Sequence, residues 1–264
     1  METIYQALEE LEKSNEPGAL CTVVKSEGST PRHVGSKMLV YSDGHFIGTV
    51  GGGDLEHRVM DEAWMAIADG KSRLLSYNMS DPARGDPGVC GGQVEVFVEP
   101  ILPPAAIVII GGGHVGKAVA HLAKWLGFRV LVSDDRPEFC NKESIPDADA
   151  FYVCPMEELP KHMKIDKRTY LILTTRGSSV DAVGLLGPLL DSPAAYIGVI
   201  GSKRRWATTV KDLKSRGEPE ERITRVHSPI GLELQAETPE EIAVSIMAEI
   251  LMIRNGGTGK AMKS

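Results

Sequence analysis

A glycine-rich turn in the second half of the chain most constrains its fold. Gly111, Gly113 and Gly116 have the spacing G-x-G-x-x-G, directly after the apolar run 106–110 and at the start of a predicted helix. Asp134 ends the next predicted strand, at about the 20-residue spacing that places an acidic side chain beside a ribose. This context predicts a Rossmann-type strand, turn and helix.

The backbone N–H groups at such a turn point to where a phosphate binds, because the start of a helix carries partial positive charge. His114 and Val115 lie inside the turn and join its glycines as candidate ligand contacts. The structural alternative is a turn that is tight only so that the helix can pack on the sheet.

The pattern around this turn predicts two domains. After it, short apolar runs alternate with helical patterns, which is typical of a doubly wound parallel sheet. Before it, strand, hairpin and helix patterns are mixed, and Pro100, Pro103 and Pro104 interrupt the chain between the halves. We therefore predict a small mixed α/β domain over residues 1–101 and a Rossmann-like domain over 102–264.

Two helix starts carry capping signals. Asp54 follows Gly51-Gly52-Gly53 and is predicted to cap the helix after it. Thr238 and Glu241 form a predicted capping box, with Pro239 at the first helical position.

Composition excludes several classes of protein. The net charge of −7 and 5% aromatic content argue against a nucleic-acid binder. No apolar run is long enough to span a membrane, and the four cysteines form no CxxC pair. These features predict a reduced, cytoplasmic protein.

A second candidate anion site follows the predicted strand 195–199. Gly201 and Ser202 form a small turn, and Lys203 and Arg204 follow at the start of a helix. Cations oppose the helix dipole at that position, which favours a ligand there. A solvated basic helix start is the alternative.

The first half contains two further glycine-rich segments. Ser29, Thr30 and Arg32 lie in a turn after a predicted strand, and Gly51, Gly52 and Gly53 precede a helix with Glu56 in its first turn. Free amides and Arg32 suit an anion. The alternatives are ordinary loops and a capping carboxylate at Glu56.

Cys90 is flanked by glycines, with Gly91 and Gly92 after it. Small neighbours leave its sulfur open to a ligand, and a thiolate there could ligate a soft metal or hold sulfur if nearby charge lowers the pKa of the thiol. A buried structural cysteine is the alternative.

His227 precedes the turn before the last helix. It either reaches the cleft beside the glycine turn 111–116 or braces its own turn.

Taken in order, these segments resemble the XdhC/CoxI family, accessory proteins of xanthine dehydrogenase and related molybdenum hydroxylases. The resemblance spans nearly the whole chain. It rests on GSTPRHVGSKMLV, GTVGGGDLE, GVCGGQVEVFVEP, IIGGGHVGKAVAHLAKWLGFRVLVSDDRPEF, YIGVIGSKRR and HSPIGLELQAETPEEIAVSIMAEI.

The resemblance implies a chaperone that binds molybdenum cofactor, as molybdopterin or its nucleotide form, protects it during sulfuration and inserts it into a client hydroxylase. It also implies a cysteine desulfurase partner, and we expect a homodimer. The matching positions are the segments 28–32, 51–56, 90–92, 111–116 and 201–205, with Asp134 and His227. An NAD(P)-dependent oxidoreductase is the alternative function.

The chain departs from the family pattern at two places. Serines stand in the segment 174–181 where relatives often have a histidine, and Gln235 replaces a frequent glycine. These departures leave the glycine-rich turns intact.

Overall fold

The computed structural model describes residues 3–79, 91–175 and 177–262. The chain divides into two compact units, Met1–Pro103 and Pro104–Ser264. Among the described residues, no helix combines the length and apolar character needed to cross a bilayer.

The N-terminal unit is a five-stranded antiparallel sheet with two helices. Its helices and strands are α1 (Ile4–Ser14), β1 (Gly18–Glu27), β2 (Lys37–Tyr41), β3 (Phe46–Gly48), α2 (Gly53–Asp69), β4 (Arg73–Asn78) and β5 (Gln93–Ile101). The strand order is β3-β2-β1-β5-β4.

Alternating burial along β1 and β5 shows why one face of this sheet accepts a helix. Val94, Val96 and Val98 are buried and form one apolar core with Val59 of α2. Pro100 lies within β5, opposite Ala19, so the strand continues into the predicted linker.

The predicted cap of α2 is wrong. Gly52 is the N-cap and no side chain caps the helix. Asp54 lies in the first turn, where its carboxylate accepts a hydrogen bond from Arg58 at 2.9 Å. Without a side-chain cap, the first amides of α2 have no hydrogen-bond partner within the helix or from a capping side chain.

The C-terminal unit is a six-stranded parallel sheet. Its strands and helices are β6 (Ala106–Ile110), α3 (His114–Trp125), β7 (Arg129–Ser133), β8 (Ala150–Tyr152), α4 (Leu159–His162), β9 (Thr169–Leu173), α5 (Ser178–Leu185), β10 (Tyr196–Val199), α6 (Lys203–Ser215), α7 (Glu220–Thr224), β11 (Val226–His227) and α8 (Pro239–Asn255). The order β11-β10-β9-β6-β7-β8 is that of a Rossmann fold, which confirms the predicted fold class.

Helices cover both faces of this sheet. One apolar core joins it to α3 and α8, and a second joins it to α5 and α6. Every residue of β9 is therefore buried, as the continuous apolar pattern predicts. The chain reverses direction across the sheet between β6 and β9, and ligands of such folds bind at the carboxyl ends of the strands beside that reversal.

The capping box of α8 is confirmed. Thr238 accepts the backbone N–H of Glu241, and the Glu241 side chain accepts the backbone N–H of Thr238. Pro239 occupies the first helical position, as predicted.

Candidate functional site

The three glycines of the first turn have three different physical roles. Gly111 has φ +113°, a conformation that side chains resist, and a Cβ at Gly116 would overlap the carbonyl oxygen of Gly111. Gly113 has an ordinary φ of −70°, and no described heavy atom beyond its chain neighbours lies within 4 Å of the position of a Cβ. Among the residues that the structure describes, neither the backbone nor the packing requires a glycine at 113.

Gly113 is also the N-cap of α3, and no side chain caps this helix. The first amides of a helix have no partner within it. The turn therefore presents to a phosphate the uncapped N–H groups of α3, next to the Gly113 Cα. His114 is exposed at the first helical position.

Asp134 lies at the end of β7, as predicted, but its carboxylate is bound within the protein. The Gly112 N–H donates to Oδ2 at 2.9 Å, and Arg136 donates from Nε to Oδ1 and from Nη2 to Oδ2, both at 2.9 Å. The Arg136 N–H also donates to Oδ1 at 3.0 Å. These four bonds use about all the acceptor positions of a carboxylate, so a ribose hydroxyl would have to share them.

The electrostatics of Asp134 agree with this bonding. Burial alone raises the pKa of its carboxyl, but the Arg136 guanidinium and the Gly112 N–H stabilise the anion. The pKa lies below its usual range as a result.

A cavity of about 380 Å³ opens beside this carboxylate, at the carboxyl ends of β6, β7, β8 and β9. Its lining is mostly apolar and includes residues that the sequence analysis did not select. The residues that line it are Ile110, Gly111, Ser133, Asp134, Asp135, Arg136, Cys154, Pro155, Met156, Glu157, Thr174, Thr175, Ser179, Val180 and Val183. No local motif marks Cys154, Met156 or Val183, because only the strand order brings them together.

The second predicted turn lies at the same edge of the sheet. Thr174, after β9, donates to the Gly111 carbonyl at 2.6 Å, and Arg205 donates from Nη2 to the Thr175 carbonyl at 3.0 Å and to Asp181 at 2.6 Å. Residues 111–116 and 201–205 are thus linked through the end of β9.

Asp181, which bonds Arg205, is fully buried. Burial raises the pKa of its carboxyl and outweighs the opposing effect of the Arg205 guanidinium. The ion pair is therefore a structural contact inside the fold.

Ser202 caps α6 by accepting the Arg205 N–H at 3.2 Å, so its hydroxyl has a structural role. Lys203 and Arg204 are exposed. These two cations remain the candidate anion contacts of this turn.

His227 belongs to a network that ties α8 to the sheet. Its ring stacks on Tyr196 at 4.6 Å, and its Nδ1 lies 3.3 Å from the Glu249 carboxylate. Tyr196 and the Gly231 N–H donate to the same carboxylate. This geometry favours the interpretation that His227 braces the turn before α8.

In the N-terminal unit, two of the predicted segments meet. A Cβ at Gly92 would overlap the Ser29 carbonyl oxygen, and a Cβ at Gly28 would lie 3.2 Å from the Gly92 Cα. Thr30 secures the bend by a 2.6 Å hydrogen bond between its hydroxyl and that of Ser26. Gly91 has φ +76°, and no described heavy atom beyond its chain neighbours lies within 4 Å of the position of a Cβ.

The third segment adjoins the first. A Cβ at Gly51 would lie 2.9 Å from the Pro31 side chain, whereas Gly52 and Gly53 have positive φ and open space. Glu56 accepts bonds from the Thr49 hydroxyl and from the Val50 N–H. Its carboxylate therefore holds the loop before α2, and Arg32 is exposed beside this cluster of turns.

Cys90 lies outside the described residues, so its predicted contact with molybdenum or sulfur stays a prediction. Within the described part of the chain, no group of three His, Cys, Asp or Glu side chains is placed to bind a metal ion. Cys21 is buried in the sheet, which raises the pKa of its thiol to about 12 and excludes a thiolate near neutral pH.

Comparison of the sequence with models of known protein families identifies the family of this chain. A family model described as "XdhC Rossmann domain" matches residues 107–250, and one described as "XdhC and CoxI family" matches residues 11–78. The chain belongs to the XdhC and CoxI family. The two matches fall in different units, so both halves of this XdhC protein carry the family signature.

Three curated relatives share most of the chain. "Uncharacterized protein YqeB" of Escherichia coli is 34% identical over 98% of this chain, which spans about half, 48%, of that relative's length. A probable xanthine dehydrogenase subunit of Bacillus subtilis is 25% identical over 96% of this chain and 98% of its own. "Molybdenum cofactor insertion chaperone PaoD" of Escherichia coli is 20% identical over 96% and 88%.

A solved structure described as a xanthine dehydrogenase from Bacillus halodurans is similar over 96% of both chains, with a TM-score of 0.52 and 24% identity. This likeness supports the fold of the XdhC protein.

Gln235, where the sequence analysis expects glycine in relatives, has an unusual backbone conformation. Its φ of +52° lies in the left-handed region that favours glycine.

Proposed function

We propose that this member of the XdhC and CoxI family is a maturation chaperone that binds molybdenum cofactor and inserts it, in sulfurated form, into xanthine dehydrogenase or a related molybdenum hydroxylase. Bound cofactor would supply a molybdenum centre held by pterin sulfurs and a phosphate. The chain's own residues bind, orient and shield it. The compartment proposed for this role is the cytoplasm.

The observation that carries the proposal is the crossing of residues 28–30 with residues 91–92. Glycine at 92 is required because Ser29 lies directly against it, whereas at Gly91 no described heavy atom beyond its chain neighbours lies within 4 Å of the position of a Cβ. This crossing immediately follows Cys90 in sequence. Backbone amides at such bends suit an oxyanion, and an adjacent thiol suits molybdenum or its transferable sulfur.

The names of two relatives support the same function. PaoD is named as a molybdenum cofactor insertion chaperone, and the Bacillus subtilis relative is named for xanthine dehydrogenase. By extension, the partners of this chain are a molybdenum hydroxylase as client and a cysteine desulfurase as sulfur donor. We further propose that the chaperone acts as a homodimer.

The test is cofactor retention. The full chain is purified from a host that makes molybdopterin, and bound molybdenum and pterin are measured by elemental analysis and by fluorescence after oxidation. We expect both to be retained, and the Cys90→Ala variant to lose most of the molybdenum. Cys21→Ala is the matched control, because it removes a thiol that burial keeps protonated.

Two results would contradict this function. If the purified wild-type chain retained neither molybdenum nor pterin, the proposed chaperone role would be contradicted. Equal retention by Cys90→Ala and by wild type would leave cofactor binding in place but exclude Cys90 from it.

The alternative, an NAD(P)-dependent oxidoreductase, is favoured by the strand order and by the G-x-G-x-x-G turn at the end of β6. Steady oxidation of NADH or NADPH with a small carbonyl substrate would support it. The chaperone predicts stoichiometric cofactor binding without such turnover.

A further inference from the structure

We infer that a second cavity of the C-terminal unit binds the pterin ring of the cofactor and recognises it through the Glu233 carboxylate. This cavity has a volume of about 280 Å³ and is lined by residues directly after β10, in the loop 230–236 and in the first two turns of α8. No described residue lines both this cavity and the one beside Asp134. The inference rests on the proposed function for the identity of the ligand.

Apolar side chains form most of the lining of this second cavity. Ile230, Leu232 and Ile242 line it and are partly buried. Leu234 lines it too, although 53% of its surface is exposed. A ring placed in the cavity removes this surface of Leu234 from water, which favours binding. The volume is enough for a bicyclic ring, which is smaller than the ligands of the larger pockets in proteins.

Glu233 is the charged residue that lines the cavity. Its side chain is exposed, and among the described residues it has no hydrogen-bond or ion-pair partner. A carboxylate with both oxygens free accepts two parallel N–H donors. The 2-amino-4-oxopyrimidine edge of a pterin presents such a pair of donors, the N3–H and the 2-amino group. The carboxylate and this edge are therefore complementary.

The backbone next to Glu233 is fixed by hydrogen bonds to α8. The Gly231 N–H donates to the Glu249 carboxylate at 2.8 Å. The Leu232 N–H donates to the Ser245 carbonyl at 3.1 Å, and the Ser245 hydroxyl donates back to the Leu232 carbonyl. The residue before Glu233 is thus held in place without a ligand, so less freedom is lost when the carboxylate binds one.

Gln235 adds a strained backbone to the same rim. It lines the cavity with a φ of +52°, and within the described part of the chain no hydrogen bond holds it in that conformation. Strain of this kind in a residue other than glycine is concentrated at ligand-binding segments. The conformation places the side chains of Glu233 and Gln235 on one cavity, where the Gln235 amide offers a donor to the 4-oxo group of the pterin.

The experiment is a fluorescence titration of the full-length chain, purified from a host unable to make molybdopterin, with 6-hydroxymethylpterin and 6-hydroxymethyllumazine. The lumazine has an oxygen in place of the 2-amino group, so it turns an acceptor towards Glu233. We expect the pterin to bind about tenfold or more tightly than the lumazine. Equal affinity for the two compounds, or no binding of the pterin at about 0.2 mM, would overturn the inference.

Two variants separate the contributions of charge and apolar surface. Glu233→Gln keeps the size of the side chain but replaces one acceptor by a donor, so pterin affinity should fall about tenfold or more and the preference over lumazine should be lost. Leu234→Ala should weaken both compounds alike, by about threefold or more, because it removes apolar contact. The matched controls are Glu237→Gln and Val244→Ala, which change exposed residues outside the lining and should leave both affinities unchanged.

Unchanged pterin affinity in Glu233→Gln, with a melting temperature equal to wild type, would overturn the inference. Guanosine is the further probe, because its base has the same 2-amino-4-oxopyrimidine edge. Tighter binding of guanosine than of the pterin would assign the cavity to a guanine ligand and would also overturn it.

A producing host separates this inference from the proposed function. Retention of molybdenum and pterin by Glu233→Gln at the wild-type level, with no binding of the free pterin, would overturn the inference while the chaperone function stands. Selective binding of the free pterin by a wild-type chain that retains no molybdenum from that host would support the cavity assignment and contradict the chaperone function.

Discussion

The Arg136 guanidinium donates two hydrogen bonds of 2.9 Å to the Asp134 carboxylate, one to each oxygen, and the Gly112 N–H donates to Oδ2 of the same group. Asp134, directly after β7, therefore links the glycine turn to the segment that follows the strand. Bidentate contacts of this kind are strong and directional. These hydrogen bonds fix the position of the Asp134 side chain in the candidate site without a ligand.

The first prediction concerns Asp134 and its hydrogen bonds. Asp134→Asn should lower the free energy of unfolding at pH 7 by about 2 kcal/mol, because it removes charge-assisted bonds and leaves Arg136 without its anion. The pKa of Asp134 is lowered from 3.8, so its contribution is present above about pH 4 and is lost as pH falls through the folded-state pKa.

Denaturant unfolding at pH 7 and at pH 3 measures this. The difference in the free energy of unfolding between variant and wild type should be largest at pH 7 and smaller at pH 3. Asp135→Asn is the control and should change stability little, because Asp135 is exposed. A difference that is the same at both pH values would contradict the assignment.

The second prediction separates two neighbouring glycines. A Cβ at Gly112 would overlap the Phe139 carbonyl oxygen, so Gly112→Ala should destabilise the fold by about 2–3 kcal/mol. At Gly113 the space is open, and Gly113→Ala should stay within about 1 kcal/mol of wild type. Thermal melts of the two variants decide this, and equal losses of stability would mean that the turn is packed differently.

The third prediction concerns Glu249 and its partners His227, Tyr196 and Gly231. Burial favours the neutral acid, but these hydrogen bonds keep the pKa of Glu249 below 4.5. Glu249→Gln should therefore cost about 1–2 kcal/mol at neutral pH, with the loss fading below about pH 4 as the wild-type carboxyl takes up a proton.

Urea unfolding across this pH range provides the measurement. Glu240→Gln, an exposed site in the first turn of α8, serves as the comparison. If both substitutions changed stability equally, the network around His227 would contribute nothing measurable.

The fourth prediction concerns thiol reactivity. Burial raises the pKa of Cys21 to about 12, so almost no thiolate exists at pH 8. Iodoacetamide should leave Cys21 unmodified in the native chain and modify it after denaturation, as peptide mass mapping would show. Rapid labelling of native Cys21 would contradict its place in the core of the N-terminal unit.

The fifth prediction concerns Gln235, whose φ is +52°. Gln235→Gly should stabilise the chain by about 0.5 kcal/mol, since relief of left-handed strain exceeds the entropy that glycine loses on folding. The control Glu233→Gly has no positive φ to relieve and should destabilise. Differential scanning calorimetry distinguishes the two, and a loss of stability in Gln235→Gly would contradict the strain.

The elements of the fold were predictable because their signals are local. The alternation of buried runs and helices indicated the parallel sheet, and the capping box at Thr238 marked the start of α8. Asp54 shows where such signals mislead. Its position suggested a cap, but the glycine bend before α2 places Gly52 at the N-cap, and Asp54 pairs with Arg58.

The candidate site was only partly predictable. The glycine turns could be found from spacing alone, whereas Met156 and Val183 carry no motif and enter the site because β8 and β9 end beside β6 and β7. The bonding of Asp134 was also missed, since the sequence shows an acidic residue at a ribose position without showing which donors surround it.

The amino-acid sequence by itself determined the class of fold, the helix and strand periods, the glycine turns and the family of this protein. Each of these depends on residues within a few positions of one another, through backbone sterics, capping and side-chain periodicity. Only the tertiary structure decided which of the three turn glycines stays open, which donors hold Asp134 and which side chains line the cavity. Those properties depend on strand order and packing, which bring together groups far apart along the chain.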